Sequence, residues 1–408
     1  MDAGQPQLFE PAVLGPVRLR NRIIKAATFE GMSRGGAVTD ALIDFHQAFA
    51  AGGVGLTTLA YCAVSPDGRG APNEIVLGPA ARPGLARLAG AVHARGAAIS
   101  AQIGHAGPVG QRRITGSRPL AASSGFSPLG TRYHAMTAAD IARVTSDFAA
   151  SARVVAEAGF DAVELHMGHH YLLNSFLSPK FNRRTDGWGG SVPNRARLPR
   201  AVAQAVRDAV GGRLAVTAKF EMADGVPGGL WLDESIELAR LLQADGTLDA
   251  LQLTAGGSLA NPMYLFRGEV PRKEFAATLP RPLRPAFQLA GHRLLRDYPF
   301  EEAYLRPMAR QFRAALDLPL ILLGGITRLD TMTQAIGEGF AFVALGRALL
   351  REPDLPGKLS RQESAESLCI HCNKCMPSIY RGTHCVLVAP PDRPGLRLPG
   401  ITRLPRPG

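Results

Sequence analysis

Residues 137–166, TAADIARVTSDFAASARVVAEAGFDAVELH, set one helix against one strand. Ile141, Val144, Phe148, Ala152 and Val155 recur at helical spacing and mark a single apolar face, and Thr137 and Asp140 have the spacing of a capping pair at its start. The β-rich run 161–166 follows directly. Working outward, similar runs stand at 22–28, 54–63, 97–102, 214–220, 248–253, 318–323 and 340–345, with helices expected after Thr39, Pro83, Pro193, Leu232, Pro299 and Thr327. Such alternation predicts βα units and a parallel sheet. Eight strands is the number that closes a barrel, although an open doubly wound sheet alternates in the same way. The preferred reading is α/β: a (β/α)8 TIM barrel followed by an irregular, Cys-containing carboxyl-terminal extension.

The chain has 408 residues, 46% hydrophobic and 20% charged, which excludes a mainly disordered protein. Its 46 Lys and Arg against 34 Asp and Glu give a net charge of +12, suited to anionic small molecules such as phosphorylated cofactors. The basic residues are scattered and form no recognition motif, so nucleic acid is not an expected partner. No apolar run approaches the roughly 18 residues of a membrane span, and the amino terminus lacks the pattern of a secretory signal, so a cytoplasmic protein is expected. Residues 1–360 should form the barrel, 361–388 a Cys-rich extension packed on it, and 389–408 a flexible tail rich in Pro and Arg. Two long connections, 106–136 and 255–300, follow strand ends where barrels carry their active sites. Homo-oligomerisation is left open.

There is no GxGxxG after a strand, no Walker loop, no GxSxG and no HExxH. The informative segment is 164–197, ELHMGHHYLLNSFLSPKFNRRTDGWGGSVPNRAR. It places His166, His169, His170 and Tyr171 at the end of the fourth strand. Two neutral imidazoles there can donate hydrogen bonds to one substrate oxygen as negative charge develops on it, and a phenol can supply a proton. The alternatives are satisfied structural histidines or a zinc centre in a hydrolase barrel. Ser191 can cap the following helix, Pro193 suits its first turn, and Trp188 reads as packing.

LFEPAVLGPVRLRNRIIKAA at 8–27, QIGHAG at 102–107, the block at 166–195, GGI at 324–326 and GRALLREPDLPGK at 346–358 occur in an order that resembles the old yellow enzyme family of FMN-dependent flavin oxidoreductases. The branch is that of the barrel domain of 2,4-dienoyl-CoA reductases. The resemblance implies a (β/α)8 barrel with one FMN at the carboxyl ends of the strands and NAD(P)H as reductant. His166 and His169 match the pair that binds the oxygen of a substrate's electron-withdrawing group, and Tyr171 matches the proton donor. Ala26, Ala27 and Thr28 resemble the backbone wall against the flavin ring, Gln102 the partner of its pyrimidine edge, and Lys219 the cation near N1 and O2. The FMN phosphate is expected between Gly324, Gly325 and Gly346, Arg347. Ser178, Asn182, Arg184 and Asp186 should pin the loop beneath the flavin. Phe29 and Glu30 stand where the family usually has Thr or Cys and Arg, and His170 replaces a usual Gly, with its ring expected to face outward.

Cys369, Cys372, Cys375 and Cys385 have the spacing C-x2-C-x2-C-x9-C, compatible with [4Fe–4S] or zinc. The flavin and nicotinamide domain that feeds such a cluster in larger relatives has no match in this sequence. The preferred reading is no metal, the cysteines being a relic packed under the barrel. Cys62 reads as a buried small hydrophobe. The expected reaction is ene-reduction: hydride from reduced FMN to an activated C=C bond of a small molecule, with NAD(P)H using the same pocket in a ping-pong sequence. Oxidation of an amine or N-methyl group is the alternative on the same flavin, and a catalytically silent flavin-binding subunit is a further one.

Overall fold

All eight expected strands form: β1 (Ile23–Lys25), β2 (Leu56–Ala63), β3 (Ala98–Gly104), β4 (Ala162–Met167), β5 (Ala215–Glu221), β6 (Ala250–Thr254), β7 (Leu320–Leu322) and β8 (Phe342–Leu345). The structure is a computed structural model, and it describes residues 7–127, 130–279 and 281–395. Each strand runs parallel to the next, from Ile24 opposite Leu56 round to Leu322 opposite Val343. The last pairs with the first, Val343 opposite Ile23, so the sheet closes and the open doubly wound alternative falls away.

Helices α1 (Asp40–Ala51), α2 (Arg82–His93), α3 (Ala138–Glu157), α4 (Val192–Val210), α5 (Leu232–Asp245), α6 (Arg306–Ala315), α7 (Leu329–Gly337) and α8 (Arg347–Arg351) follow the strands in turn. Thr137 and Asp140 form the expected reciprocal capping box on α3. Ser191 occupies the N-cap of α4 without a side-chain hydrogen bond, while Pro193 does stand in its first turn. The helix expected after Pro299 starts only at Arg306. The intervening residues turn through Ala303 at φ 52° and send Tyr304 and Leu305 inward beneath Gly324 and Gly325. Phe45, Phe148 and Phe312 are fully buried between sheet and helices, each contributing roughly 1.5–3 kcal/mol.

An unexpected amino-terminal hairpin, Ala12–Leu14 against Val17–Leu19, closes the bottom of the barrel. Ala12, Leu14 and Leu19 pack against Ile24, Leu56, Ala162, Ala215 and Ala250 at the strand starts, where three alanines leave room for the plug. The tail beyond residue 395 lies outside the described residues.

The Cys-rich extension lies across the carboxyl ends of the strands, not under the barrel. Thr383 donates its N–H to Glu30 O at 2.7 Å and its hydroxyl to Phe29 O. Asn373 Nδ2 donates to Phe266 O at 2.8 Å and Glu269 O at 3.0 Å, and Asn373 Oδ1 accepts from Arg347. Its buried amide thus ties the extension to the loops after β6 and β8. A side chain on Gly31 would meet Ile379 O at 1.9 Å, so glycine permits the close approach of extension and barrel.

Candidate active site

A cavity of about 290 Å³ opens at the carboxyl ends of the strands, a size near the lower end of small-molecule sites at roughly 300 Å³. His166, His169, Tyr171, Gln102 and Lys219 line it, as do Ala26, Ala27, Thr28, Gly324, Gly325, Gly346 and Arg347. The twelve residues expected from the sequence therefore meet in one space. Sequence reasoning missed Tyr61, Leu265, Phe266 and Tyr304, and also His371, Cys375, Met376 and Thr383 from the extension.

Strand alternation explains the centre of the site. Glu164 and His166 share the inward face of β4, with Gln102 opposite Glu164 and Lys219 opposite His166. Glu164 accepts from Gln102 Nε2 at 2.7 Å and Gln252 Nε2 at 2.9 Å, and lies 3.4 Å from Lys219 Nζ. This buried carboxylate balances the lysine charge and orients both residues that line the cavity. Its position two residues before His166 was the available signal. A second buried pair lies beneath: Glu30 is 3.4 Å from Lys25 Nζ and accepts the Ala60 N–H at 3.0 Å. The departure at position 30 thus puts a carboxylate in the protein core.

His166 and His169 are 5.0 Å apart, ring centre to ring centre, nearly perpendicular. Burial, reinforced by neighbouring positive groups, lowers both imidazole pKa values well below the usual range, so both are neutral near pH 7. His166 Nδ1 accepts the Gly168 N–H at 3.3 Å, which puts its proton on Nε2. His169 Nε2 lies 2.9 Å from Thr254 Oγ1. Tyr171 stacks on His166 with centres 4.3 Å apart and planes 15° apart.

The turn carrying these rings is left-handed at two successive residues, His169 at φ 59° and His170 at φ 64°. Glu221 Oε2 accepts the His169 N–H at 2.6 Å, and Asn174 Oδ1 accepts the His170 N–H at 2.7 Å. Burial, with Asp224 nearby, raises the Glu221 pKa well above the carboxylate range. His170 does not face outward as expected. Its ring is fully buried against Phe181, 3.8 Å from Asp224, because Gly257 leaves space where a side chain would strike the ring. It points away from the other two imidazoles, and among the described residues no set of three or more His, Cys, Asp or Glu is placed to hold a metal.

Ser178 donates to Asp224 at 2.5 Å, Asn182 to Phe176 O and Trp188 O, and Arg184 to Ala122 O and Met136 O, so this loop is pinned by its own polar side chains. Tyr61 donates to Gly68 O at 2.8 Å. Nearby Glu74 is buried and its carboxyl is pushed up to about 8 by desolvation, against the pull of the Gly70 N–H. Cys62 is buried with a raised thiol pKa, as fits a core residue.

The family model described as NADH:flavin oxidoreductase / NADH oxidase matches residues 7–253. The chain belongs to that family. It is 55% identical over 387 residues to 4,4'-dithiodibutanoate disulfide reductase of Rhodococcus erythropolis, covering 94% of this chain and 96% of the relative. It is 30% identical over 361 residues to a multifunctional alkene reductase/demethylase OYE of Caballeronia cordobensis, covering 86% of this chain and 48% of that one. Among solved structures, a 2-naphthoyl-CoA reductase complex superposes with a TM-score of 0.78 at 24% identity, covering 93% of this chain and 56% of that chain, which supports the fold. The family is that of old yellow enzyme, and its FMN and nicotinamide reductant are those of this chain. A zinc hydrolase is thereby set aside.

The cavity fits FMN. Gly324 and Gly325 take φ 111° and 69°, and a Cβ on either would come within 2.5 Å of Leu305 or Tyr304. Only glycine allows this backbone to pack so closely on Leu305 and Tyr304 at positive φ, and successive N–H groups in such a turn suit an anion. A Cβ on Gly346 would meet nothing nearer than Thr28 Cγ2 at 3.6 Å, so space remains between the two glycine turns. Arg347 adds a fixed guanidinium, held by Arg267 O at 2.8 Å and Tyr304 Oη at 3.4 Å. Thr28 Oγ1 is buried without a hydrogen-bond partner, a polar atom suited to a ligand edge.

Proposed function

We propose that this enzyme reduces small organic disulfides bearing carboxylate ends, with reduction of activated C=C bonds as its second activity. The observation that carries the reading is the pair of buried, neutral imidazoles beside Lys219, a site that stabilises a departing anion. The extensive identity with the Rhodococcus disulfide reductase favours sulfur as the acceptor.

FMN would be held by Ala26, Ala27, Thr28, Gln102 and Lys219 around its ring and by Gly324, Gly325, Gly346 and Arg347 around its phosphate. Bound and reduced by NAD(P)H, it supplies a hydride that splits a disulfide into one thiol and one thiolate. His166 and His169 donate hydrogen bonds to the thiolate sulfur. Tyr171 offers its hydroxyl to the same atom, and the proton that completes the second thiol comes from it or from solvent. For an alkene the imidazoles hold the carbonyl oxygen, and Tyr171 delivers the proton to the α-carbon. The relative named as an alkene reductase/demethylase favours that second reading.

The enzyme is taken to work in the cytoplasm, as a barrel of residues 1–360 completed by the extension 361–388; no described helix is long and apolar enough to cross a membrane. The test is anaerobic turnover of the holoenzyme with NADH or NADPH against 4,4'-dithiodibutanoate and against a cyclic enone. Two thiols formed per nicotinamide oxidised supports the reading. Reduction of the enone alone overturns the disulfide reading and leaves alkene reduction, and bound FMN that neither nicotinamide reduces overturns both.

A further inference from the structure

The connection after β6 brings Arg267 against three tyrosine rings. Its guanidinium carbon lies 5.1 Å from the ring centre of Tyr304, 5.5 Å from that of Tyr264 and 5.9 Å from that of Tyr298. Tyr304 lines the cavity, as do Leu265 and Phe266 just before Arg267 in the chain, so Arg267 and Tyr298 adjoin its wall without lining it. Neighbouring arginines are matched with acids: Arg272 with Asp297 at 2.6 Å, Arg306 and Arg310 with Glu338 at 3.9 and 2.5 Å. Arg267 has no such acid among the described residues, and its Nε, like that of Arg272, is buried without a hydrogen-bond partner. The Tyr298 hydroxyl accepts from Asn261 Nδ2 at 2.8 Å, which leaves its own hydrogen to donate.

A guanidinium flanked by aromatic faces keeps little water and stays charged, and its planar N–H groups match the two oxygens of a carboxylate. A guanidinium held among aromatic rings with no acid of its own is a positive charge left to be matched, which suits an anion that arrives from outside the fold. We propose that Arg267, with the Tyr298 hydroxyl, binds the terminal carboxylate of a substrate arm and thereby selects anionic acceptors over neutral ones. This deepens the reading of the enzyme as a reductase of carboxylate-bearing disulfides and rests on it for the identity of the substrate.

Decanedioate replaces the two sulfurs of 4,4'-dithiodibutanoate by methylenes and cannot be reduced, so it separates binding from turnover. Its dissociation constant is read from the shift it causes in the visible flavin spectrum of the holoenzyme. Arg267→Met should weaken it about tenfold or more, as expected for loss of a charged hydrogen-bonded pair. The KM for 4,4'-dithiodibutanoate should rise in parallel, and that for its uncharged dimethyl ester by no more than about twofold. Tyr298→Phe keeps the ring and should weaken decanedioate about threefold; it carries the test if Arg267→Met does not retain FMN. An unchanged decanedioate constant in the variants overturns the proposal, as does a rise confined to the KM for NADPH, which would assign Arg267 to a nucleotide phosphate. Binding of decanedioate that depends on Arg267, in an enzyme that leaves disulfides intact, supports the anion site and refutes the disulfide reading alone.

Discussion

The Tyr171 phenol lies flat against the His166 imidazole, ring centres 4.3 Å apart and planes 15° apart, so the proposed proton donor and the proposed anion-binding imidazole share one stack. The stack stands over β4, where Glu164 fixes Lys219 and Gln102 from below. Charge that develops on substrate meets preset donors.

Tyr171→Phe should separate the two proposed activities. A thiolate is a stable leaving group near neutral pH, since thiols ionise near about 8.5, whereas a carbanion next to a carbonyl needs a proton delivered to carbon. Enone reduction should fall by about 10²-fold, disulfide reduction by no more than about threefold, and FMN reduction by NADH hardly at all. Stopped-flow measurement of the two half-reactions checks this. Equal losses in both half-reactions would remove Tyr171 from proton donation.

The hairpin of Leu14 and Leu19 closes the amino-terminal end of the barrel, and the cavity lies at the opposite end, where the proposed reading has nicotinamide and acceptor bind in turn. On that proposal the nicotinamide leaves before the acceptor enters. Double-reciprocal plots of rate against NADH at several acceptor concentrations should be parallel. Intersecting lines would require both to be bound together.

Glu74 gives a pH dependence of stability with a definite sign. Folded protein keeps its proton up to about pH 8, while the unfolded chain releases it above its ordinary value near 4.5. Folding takes up a proton between those values, so this group lowers stability as pH rises from 4.5 to 8. Glu74→Gln should be more stable than the parent at pH 8 by about 1–3 kcal/mol, a gain that vanishes near pH 5. Thermal melts across this range decide it, and a loss of stability independent of pH would contradict the buried-proton account.

Gly325→Ala should yield a folded protein that loses FMN on gel filtration. The new methyl would lie 2.5 Å from the Tyr304 ring on a backbone at φ 69°, and the turn must move away from the phosphate place to relieve it. Full FMN retention by the variant would argue against this phosphate site.

For the cysteines the expected outcome is a flavoprotein without iron. Among the described residues, no three or more of the Cys, His, Asp and Glu side chains are grouped as a metal would need. Elemental analysis of anaerobically purified protein should give no stoichiometric iron or zinc, and dialysis against a chelator should leave turnover unchanged. A broad absorbance beneath the flavin bands, with matching iron and labile sulfide, would reverse this.

The barrel was legible because its strands are short apolar runs between amphipathic helices such as α3, whose capping box the sequence spells out. The cavity residues were legible where a strand end is unusual, as at His166, Lys219 and the glycine pairs. The hairpin was not, since its two strands of three residues are too short for periodicity to register. Nor was the outward expectation for His170 correct: whether a ring fits inside depends on Gly257, far along the chain, leaving room for it. Glu164, Glu221 and Arg267 matter through partners on other strands and loops, and such pairings become visible only once the barrel is closed.

The extension that walls one side of the cavity through Cys375 and Thr383 also sets an order in time. A ribosome delivers β8 and its phosphate turn before it delivers residues 371–383. Closing the sheet and walling the pocket thus fall to the last stretch of the described chain. A pocket completed by the carboxyl-terminal segment makes cofactor capture a late event in the life of the chain.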